Sequence, residues 1–370
     1  LDKALNAGYR NQKLEKKLGT VPNFGGDERG VDSSFASYLL KERGALVEGA
    51  FMYFCPNSRC CAPEAEARAE RTAKELQIPF HRIDASAVFA EKVIGYFLKS
   101  MRMGLTPNPC TICNEQVKFG FLLDYALQKG FSHLATGHYA RVVYDRERAV
   151  FRLLKGKDER KDQSYMLYRL NQKTLPFALF PLGDWRKAEV VRAVRKLGWE
   201  AAEVKESQDL CFIPKGMGLK EFLEPFGFPF LPGPILDTSG KVIGTHQGLY
   251  AYTMGQRRGI RLPGGPFYVL AQDFSRNALI VGRKEEVFKT TLIAGEINWV
   301  VDPPPAFPFW AKARIRYGHK EAPALVERFE EDKLKVVFQE PQFAITPGQA
   351  LVLFHEEEVL GGGVILRALD

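Results

Sequence analysis

In the first half of the chain, helix-patterned segments alternate with short apolar runs, and few architectures accommodate that rhythm. "SSFASYLLKERG" spaces its apolar residues for a helix and stops at Gly44. "ALVEGAFMYF" follows as an apolar strand. "APEAEARAERTAKELQI" is a helix with a charged surface, and "PFHRID" a short strand behind it. "VKFGFLLDYALQKG" is a further helix with Gly130 as its stop, followed by the strand "FSHLATGH". Such strands are buried on both faces when they lie parallel with helices on either side, so a Rossmann-like α/β fold is expected. In such sheets, ligands bind beyond the carboxyl ends of the strands. That places the loop at 30–34, Phe51-Met52 and Thr136-Gly137-His138 near one another.

"WRKAEVVRAVRKLGW" is one more helix, and then the pattern changes. From about residue 215, Pro and Gly become frequent, as in "PFGFPFLPGPILDTSG". "FYVLAQDFSRNALIVG" reads as two strands joined at "DFSRN". Beyond it, "AKARIRY", "KLKVVFQ" and "QALVLFH" alternate with turn signals, as in a small antiparallel barrel. The expected division is 1–214, 215–285 and 286–370, and a chain of 370 residues has room for three cores. There is no run of about 18 apolar residues for a membrane span. There is also no apolar signal core, so the cytoplasm is the expected compartment, with an organellar matrix as the lesser alternative. The net charge of +8 points weakly to a polyanionic partner, because charge bears on association and not on fold.

Gly30-Val31-Asp32-Ser33-Ser34 precedes a helix. Backbone N–H groups of such a turn, with the helix terminus behind them, attract anions, and Ser hydroxyls add donors. The same residues also serve as an ordinary helix cap. In "TPNPCTICNEQVKF" two prolines fix an extended turn, and a helix is expected to begin near Asn114. That would set Cys113 at the helix N-terminus, where the dipole favours thiolate. Cys110 and Cys113 form C-x-x-C, a spacing used by redox pairs and by metal or cluster ligands. A zinc site would need a fourth ligand group that the local sequence lacks. Cys211 in "ESQDLCFIP" is a separate candidate or an apolar filler. "KDQSYMLYRL", "GTHQGLYAYTMGQRRGI" and the cluster Arg314, Arg316, Tyr317, His319 gather basic and aromatic residues suited to phosphates and bases.

Together "GVDSSFASYLL", "FM", "NPCTICNEQVKF", "ATGHYARV", "KDQSYMLYRL", "FPLGDWRKAEV", "SQDLCFIP", "HQGLYAYTMGQRRGI" and "RYGHK" resemble the tRNA-specific 2-thiouridylases, in family order, from about residue 30 to the end. The resemblance implies an ATP-pyrophosphatase (PP-loop) domain, a small central domain and a C-terminal β-barrel that helps hold tRNA. It implies that ATP with Mg²⁺ adenylates the wobble uridine and that sulfur then displaces AMP. By motif, Gly30, Val31, Asp32, Ser33 and Ser34 map to the ATP loop. Met52 and Gly137 map to the adenine side, where a soft thioether and an unhindered backbone suit a flat base. Cys113 maps to the first catalytic cysteine and Cys211 to the persulfide carrier, a pair that also forms a disulfide in the family. Asn108, Pro109 and Cys110 map to the turn that meets the target base. His138, Lys161, Asp162, Gln163, Arg316, Tyr317 and Gln349 map to tRNA contacts. The implied partners are tRNA and a sulfur-donor protein or free sulfide. The alternatives are another PP-loop adenylating ligase, or a tRNA-binding homologue with impaired catalysis.

Two departures from the family pattern stand out. Cys110 occupies a position that is Asp in many members, so Cys110, Cys113 and Cys211 could hold a [4Fe-4S] cluster with an open iron. Cluster-bound sulfide and a cysteine persulfide are therefore both open as sulfur sources. The second departure is the loop S-G-G-x-D-S, whose Ser and first Gly positions hold Glu28 and Arg29 here. Residues 17–29 do not read as the buried first strand, so either an insertion separates Gly25-Gly26 from the motif or the strand side of the loop is altered.

Overall fold

The computed structural model describes residues 17–20, 31–54, 61, 63–199, 210–260 and 262–369. The first part holds strands β1 (Lys17–Thr20), β2 (Leu46–Tyr53), β3 (Phe80–Asp84) and β4 (His133–Ala135). A hairpin of β5 (Ala140–Asp145) and β6 (Val150–Lys155) follows, and then the short β7 (Ala178–Leu179). Five of these form a parallel sheet in the order β3-β2-β1-β4-β7.

The strand at 17–20 corrects the expectation drawn from its pattern. It is central in the sheet, with Leu18 opposite Val47 on one side and His133 on the other. Four residues are too few to write a periodicity, so only the ladders on both sides identify it. Gly30 and the question of an insertion at Gly25–Arg29 lie outside the described residues.

Helices α1 (Val31–Glu42) and α2 (Pro63–Glu75) follow β1 and β2. Glu64 and Glu66 sit in the first turn of α2, and Ala65, Ala69 and Ala73 form a buried stripe spaced by four, so the helix lies close against its neighbours with its charges outward. Next come α3 (residues 86–102) and α4 (residues 109–128), both widened to π-helical turns in their middles, at Ala90–Ile94 and Cys113–Leu122. α5 (Lys187–Lys196) closes this part, its first turn held by the Glu189 side chain accepting from the Arg186 N–H at 2.8 Å.

The central part is a four-stranded sheet of β8 (Gly233–Leu236), β9 (Val242–His246), β10 (Tyr268–Asp273) and β11 (Ala278–Gly282), in the order β10-β11-β8-β9. The two strands expected around "DFSRN" are β10 and β11, paired antiparallel. The last part holds β12 (Phe288–Trp299), β13 (Phe309–Arg314), β14 (Ala322–Phe329), β15 (Lys333–Phe343), β16 (Ala350–His355) and β17 (Glu358–Leu369). They run β12-β15-β14-β13-β16-β17, and β12 pairs again with β17, so the six antiparallel strands close. Closure removes the unpaired edges that an open sheet would present.

The first part is not separate from this barrel. The hairpin β5–β6 extends the barrel sheet, with Glu358 of β17 opposite Leu154 of β6. Arg152 holds the Glu358 carboxylate with two hydrogen bonds of 2.8 and 2.9 Å. One hydrophobic core runs from Phe51 and Leu134 through Tyr165, Tyr168 and Phe212 to Val352 and Phe354 of the barrel.

Candidate active site

The turn expected to meet phosphate is the first turn of α1. Val31, Ser33 and Ser34 are buried there, and Asp32 opens the turn. Lys187 Nζ, at the start of α5, donates to both Asp32 oxygens at 2.8 and 2.7 Å. The Tyr139 hydroxyl donates to Asp32 Oδ1 at 2.8 Å. A Cβ on Gly137 would lie 2.8 Å from both Asp32 C and Ser33 N, so only glycine allows the loop after β4 to touch the α1 terminus. Met52 stands at the carboxyl end of β2, as expected, but its side chain is 3% exposed and packs in the core. The apolar side chain is worth more inside the core than on a cleft wall.

The thiol side is the first turn of α4. The helix begins at Pro109, not near Asn114. Asn108 is its N-cap, accepting from the Cys110 N–H at 3.2 Å, and Pro109 fills the first helical position, where no N–H is needed. Cys110 is thus in the first turn, and Cys113 lies about one turn further in, where the dipole has weakened. Cys110 is exposed, yet protein around it desolvates the thiol and pushes its pKa up, while Lys118 pulls the other way. Cys211 is half-buried, and its neighbour Phe212 anchors the segment among Phe89, Phe97 and Phe222. Cys113 and Cys211 pack against the same hydrophobic core.

Between the two sides lies His138. It is buried, with Nδ1 at 2.7 Å from the Thr136 hydroxyl, and its ring packs edge-on to Phe180. Burial, and then the charge of Lys118, hold its pKa well below the ordinary value, so the imidazole is neutral.

The predicted tRNA contacts divide. Asp162 is 5% exposed and its carboxylate is used internally: Gly156 N–H, Ser164 N–H, the Ser164 hydroxyl and Arg314 all donate to it at 3.0–3.3 Å. These bonds fix the shape of the loop. Gln163 accepts from the Tyr139 N–H at 3.0 Å, and Lys161 beside it is half-buried. On the barrel, the Tyr317 ring lies 6.0 Å from Tyr165, and Arg316 acts electrostatically on the Tyr165 hydroxyl. Gln349 reaches Thr106 just ahead of the thiol turn, and the Thr106 N–H donates to Pro347 O at 2.9 Å. Thus the Asn108–Cys113 turn is flanked by the 161–165 loop and by the barrel.

Lys187 and Tyr139 carry no role in the sequence reading, although both fall within quoted motifs. Nothing local marks them, because their partner Asp32 is more than a hundred residues away in sequence. Among the described residues no group of three or more His, Cys, Asp or Glu side chains is gathered for a metal ion, so Cys110, Cys113 and Cys211 do not form a cluster-binding set as they stand. No helix among the described residues is long and apolar enough to cross a membrane.

Three family models match in succession. They are the tRNA methyl transferase HUP domain over residues 27–215, the tRNA methyl transferase PRC-barrel domain over 220–283, and the aminomethyltransferase beta-barrel domain over 289–365. Curated relatives match at full length. The tRNA-specific 2-thiouridylase MnmA 2 of Thermoanaerobacter sp. (strain X514) is 41% identical over 350 residues, covering 92% of this chain and 96% of that relative. The MnmA of Carboxydothermus hydrogenoformans is 42% identical, with 92% and 96% covered. MnmA 1 of Syntrophus aciditrophicus is 44% identical, with 92% and 91% covered. Among solved structures, the U34-tRNA thiolase NcsA from Methanococcus maripaludis with its [4Fe-4S] cluster is 15% identical, covering 53% of this chain and 61% of that one. Its TM-score of 0.34 is too low to bear on the site.

Proposed function

This chain belongs to the tRNA-specific 2-thiouridylase family, and from that premise we propose that it thiolates C2 of the wobble uridine of tRNA in an ATP-dependent reaction. The observation that carries this reading is the convergence on one region of an anion-attracting helix terminus, a capped thiol turn and a barrel that touches that turn. The first step makes a poor leaving group into a good one. The uridine 2-oxygen bonds to the α-phosphorus of ATP, the bond to the β-phosphate oxygen breaks, and pyrophosphate leaves while the N3 proton passes to solvent. The α1 terminus, Ser33 and Ser34 hold the phosphates. Asp32, whose two oxygens are held by Lys187 here, would exchange that ammonium to hold Mg²⁺, which typically takes one or two carboxylates plus phosphate oxygens and would neutralise the triphosphate.

In the second step the terminal sulfur of a persulfide on Cys211 attacks C2, and the C2–O bond breaks to release AMP. The Cys113 thiolate then attacks Cys211 Sγ. The S–S electron pair moves to the sulfur on C2, N3 regains a proton, and 2-thiouridine leaves behind a Cys113–Cys211 disulfide that an external thiol reduces. No step is routed through an iron–sulfur cluster, because the three cysteines are not gathered to hold one. The outer sulfur of the Cys211 persulfide comes from a persulfide on a partner protein, which leaves as its thiol; inorganic sulfide can supply it only by opening the Cys113–Cys211 disulfide, with Cys113 leaving as the thiol.

The test is mass spectrometry of nucleosides from tRNA incubated with the full chain, ATP, Mg²⁺ and a sulfur donor. New 2-thiouridine is expected. Retained tRNA binding without any 2-thiouridine would favour a non-catalytic homologue.

A further inference from the structure

Of the Asp, Glu, Lys and Arg side chains among the described residues, three are buried: Lys118, Asp162 and Glu358. Asp162 is met by Arg314, and Glu358 by Arg152. Lys118 is 7% exposed and makes no hydrogen bond or ion pair. A lysine is seldom buried unless it is paired, because an uncompensated charge resists leaving water. Its stem is covered, yet Nζ is absent from the enclosed unpartnered atoms, so the ammonium keeps access to solvent.

Its position gives that exception a meaning. Cys110, Asn114 and Lys118 recur every four residues along α4, so Lys118 lies on the face that carries the base-side thiol. Its charge also acts on His138, the residue after Gly137, whose backbone abuts the α1 terminus. Lys118 therefore stands between the nucleotide side and the base side, and no carboxylate among the described residues pairs with it.

We propose that Lys118 is a catalytic residue of the adenylation step, its ammonium contacting the α-phosphate as the uridine 2-oxygen bonds to phosphorus and pyrophosphate departs. This rests on the function proposed above and adds a residue to it. The charge is unpaired in the free protein because its partner is the phosphate. The charge supports no ion pair among the described residues, and that separates a catalytic role from a structural one.

The experiment compares the wild-type chain with Lys118→Met, which keeps the length and removes the charge. Three quantities are read: tRNA-dependent pyrophosphate release in a single turnover, tRNA binding by filter retention, and the thermal midpoint. Loss of one preorganised charge donor is expected to slow pyrophosphate release about 100- to 1000-fold. The tRNA Kd should stay within about threefold and the thermal midpoint should stay level, because Met keeps the covered stem and no ion pair among the described residues is lost. Pyrophosphate release within about threefold of wild type would overturn the proposal. So would a lowered midpoint, which would mark Lys118 as structural. An inactive wild type would count against the function itself, whereas an active wild type beside an equally active Lys118→Met would count against Lys118 alone.

Discussion

Gln349 of the barrel donates from Nε2 to the carbonyl of Thr106 at 2.8 Å, three residues before the helix that carries Cys110 and Cys113. The barrel is thereby in direct contact with the thiol turn. The adjoining Gly348 has φ +91°, and a Cβ there would lie 2.8 Å from both Leu105 Cβ and Thr106 N. Gly348→Ala is expected to push the turn aside as well as to strain its own backbone. A displacement of about 1 Å at a reacting group costs on the order of 100-fold in rate. Single-turnover thiolation should slow by about that factor while ATP binding is kept; an unchanged rate would mean the contact is only packing.

The pair between Lys187 and Asp32 predicts a nucleotide effect. Lys187→Met leaves Asp32 with Tyr139 and removes a positive charge from the phosphate turn. A charge-assisted hydrogen bond is worth about 1.5–3 kcal/mol, roughly 10- to 100-fold in affinity. The KM for ATP should rise within that range with the tRNA Kd unmoved, as steady-state kinetics and filter binding would show.

The two half-buried cysteines predict a division of steps. Cys113→Ser and Cys211→Ser should each abolish 2-thiouridine while leaving tRNA-dependent pyrophosphate release within a few fold, because adenylation uses neither thiol. Normal thiolation by either variant, read by nucleoside mass spectrometry, would remove that residue from the sulfur-transfer step.

His138 predicts a pH effect on stability. Its folded pKa lies well below the ordinary value of 6.5, through burial first and Lys118 second. Between the folded and unfolded values the unfolded chain binds the extra proton, so stability rises with pH there. The contribution is complete above about pH 6.5 and falls as acid is added, at about 1.4 kcal/mol per unit. His138→Gln should flatten that part of the curve in urea denaturation at pH 5–7; an equal slope in both proteins would contradict it.

The parallel sheet, the change of character near 215 and the barrel strands were legible because each rests on several residues of consistent spacing. β1 was not, because four residues of a central strand carry no pattern. The start of α4 was legible in principle: Asn108 before Pro109 is a cap followed by the residue that suits the first helical position. The prolines were instead read as an extended turn. The thiols could be named from motifs, but the internal use of Asp162 could not, since Arg314 lies far along the chain and only burial tells a structural carboxylate from a contact. Lys118 was hidden for the same reason. In a sequence it is one lysine among many, and only its enclosure without a counter-charge distinguishes it.

The hairpin β5–β6 has a consequence for anyone who would dissect this molecule. It lies in the first half of the chain but extends the sheet of the last part, and Arg152 of the hairpin satisfies Glu358 of the final strand. A fragment cut at residue 286 would lose that strand-edge cover and leave a carboxylate stranded without its cation. Gene fragments that respect the order of the sequence would therefore break a unit that exists only in space. A barrel transplanted between relatives should carry its hairpin with it.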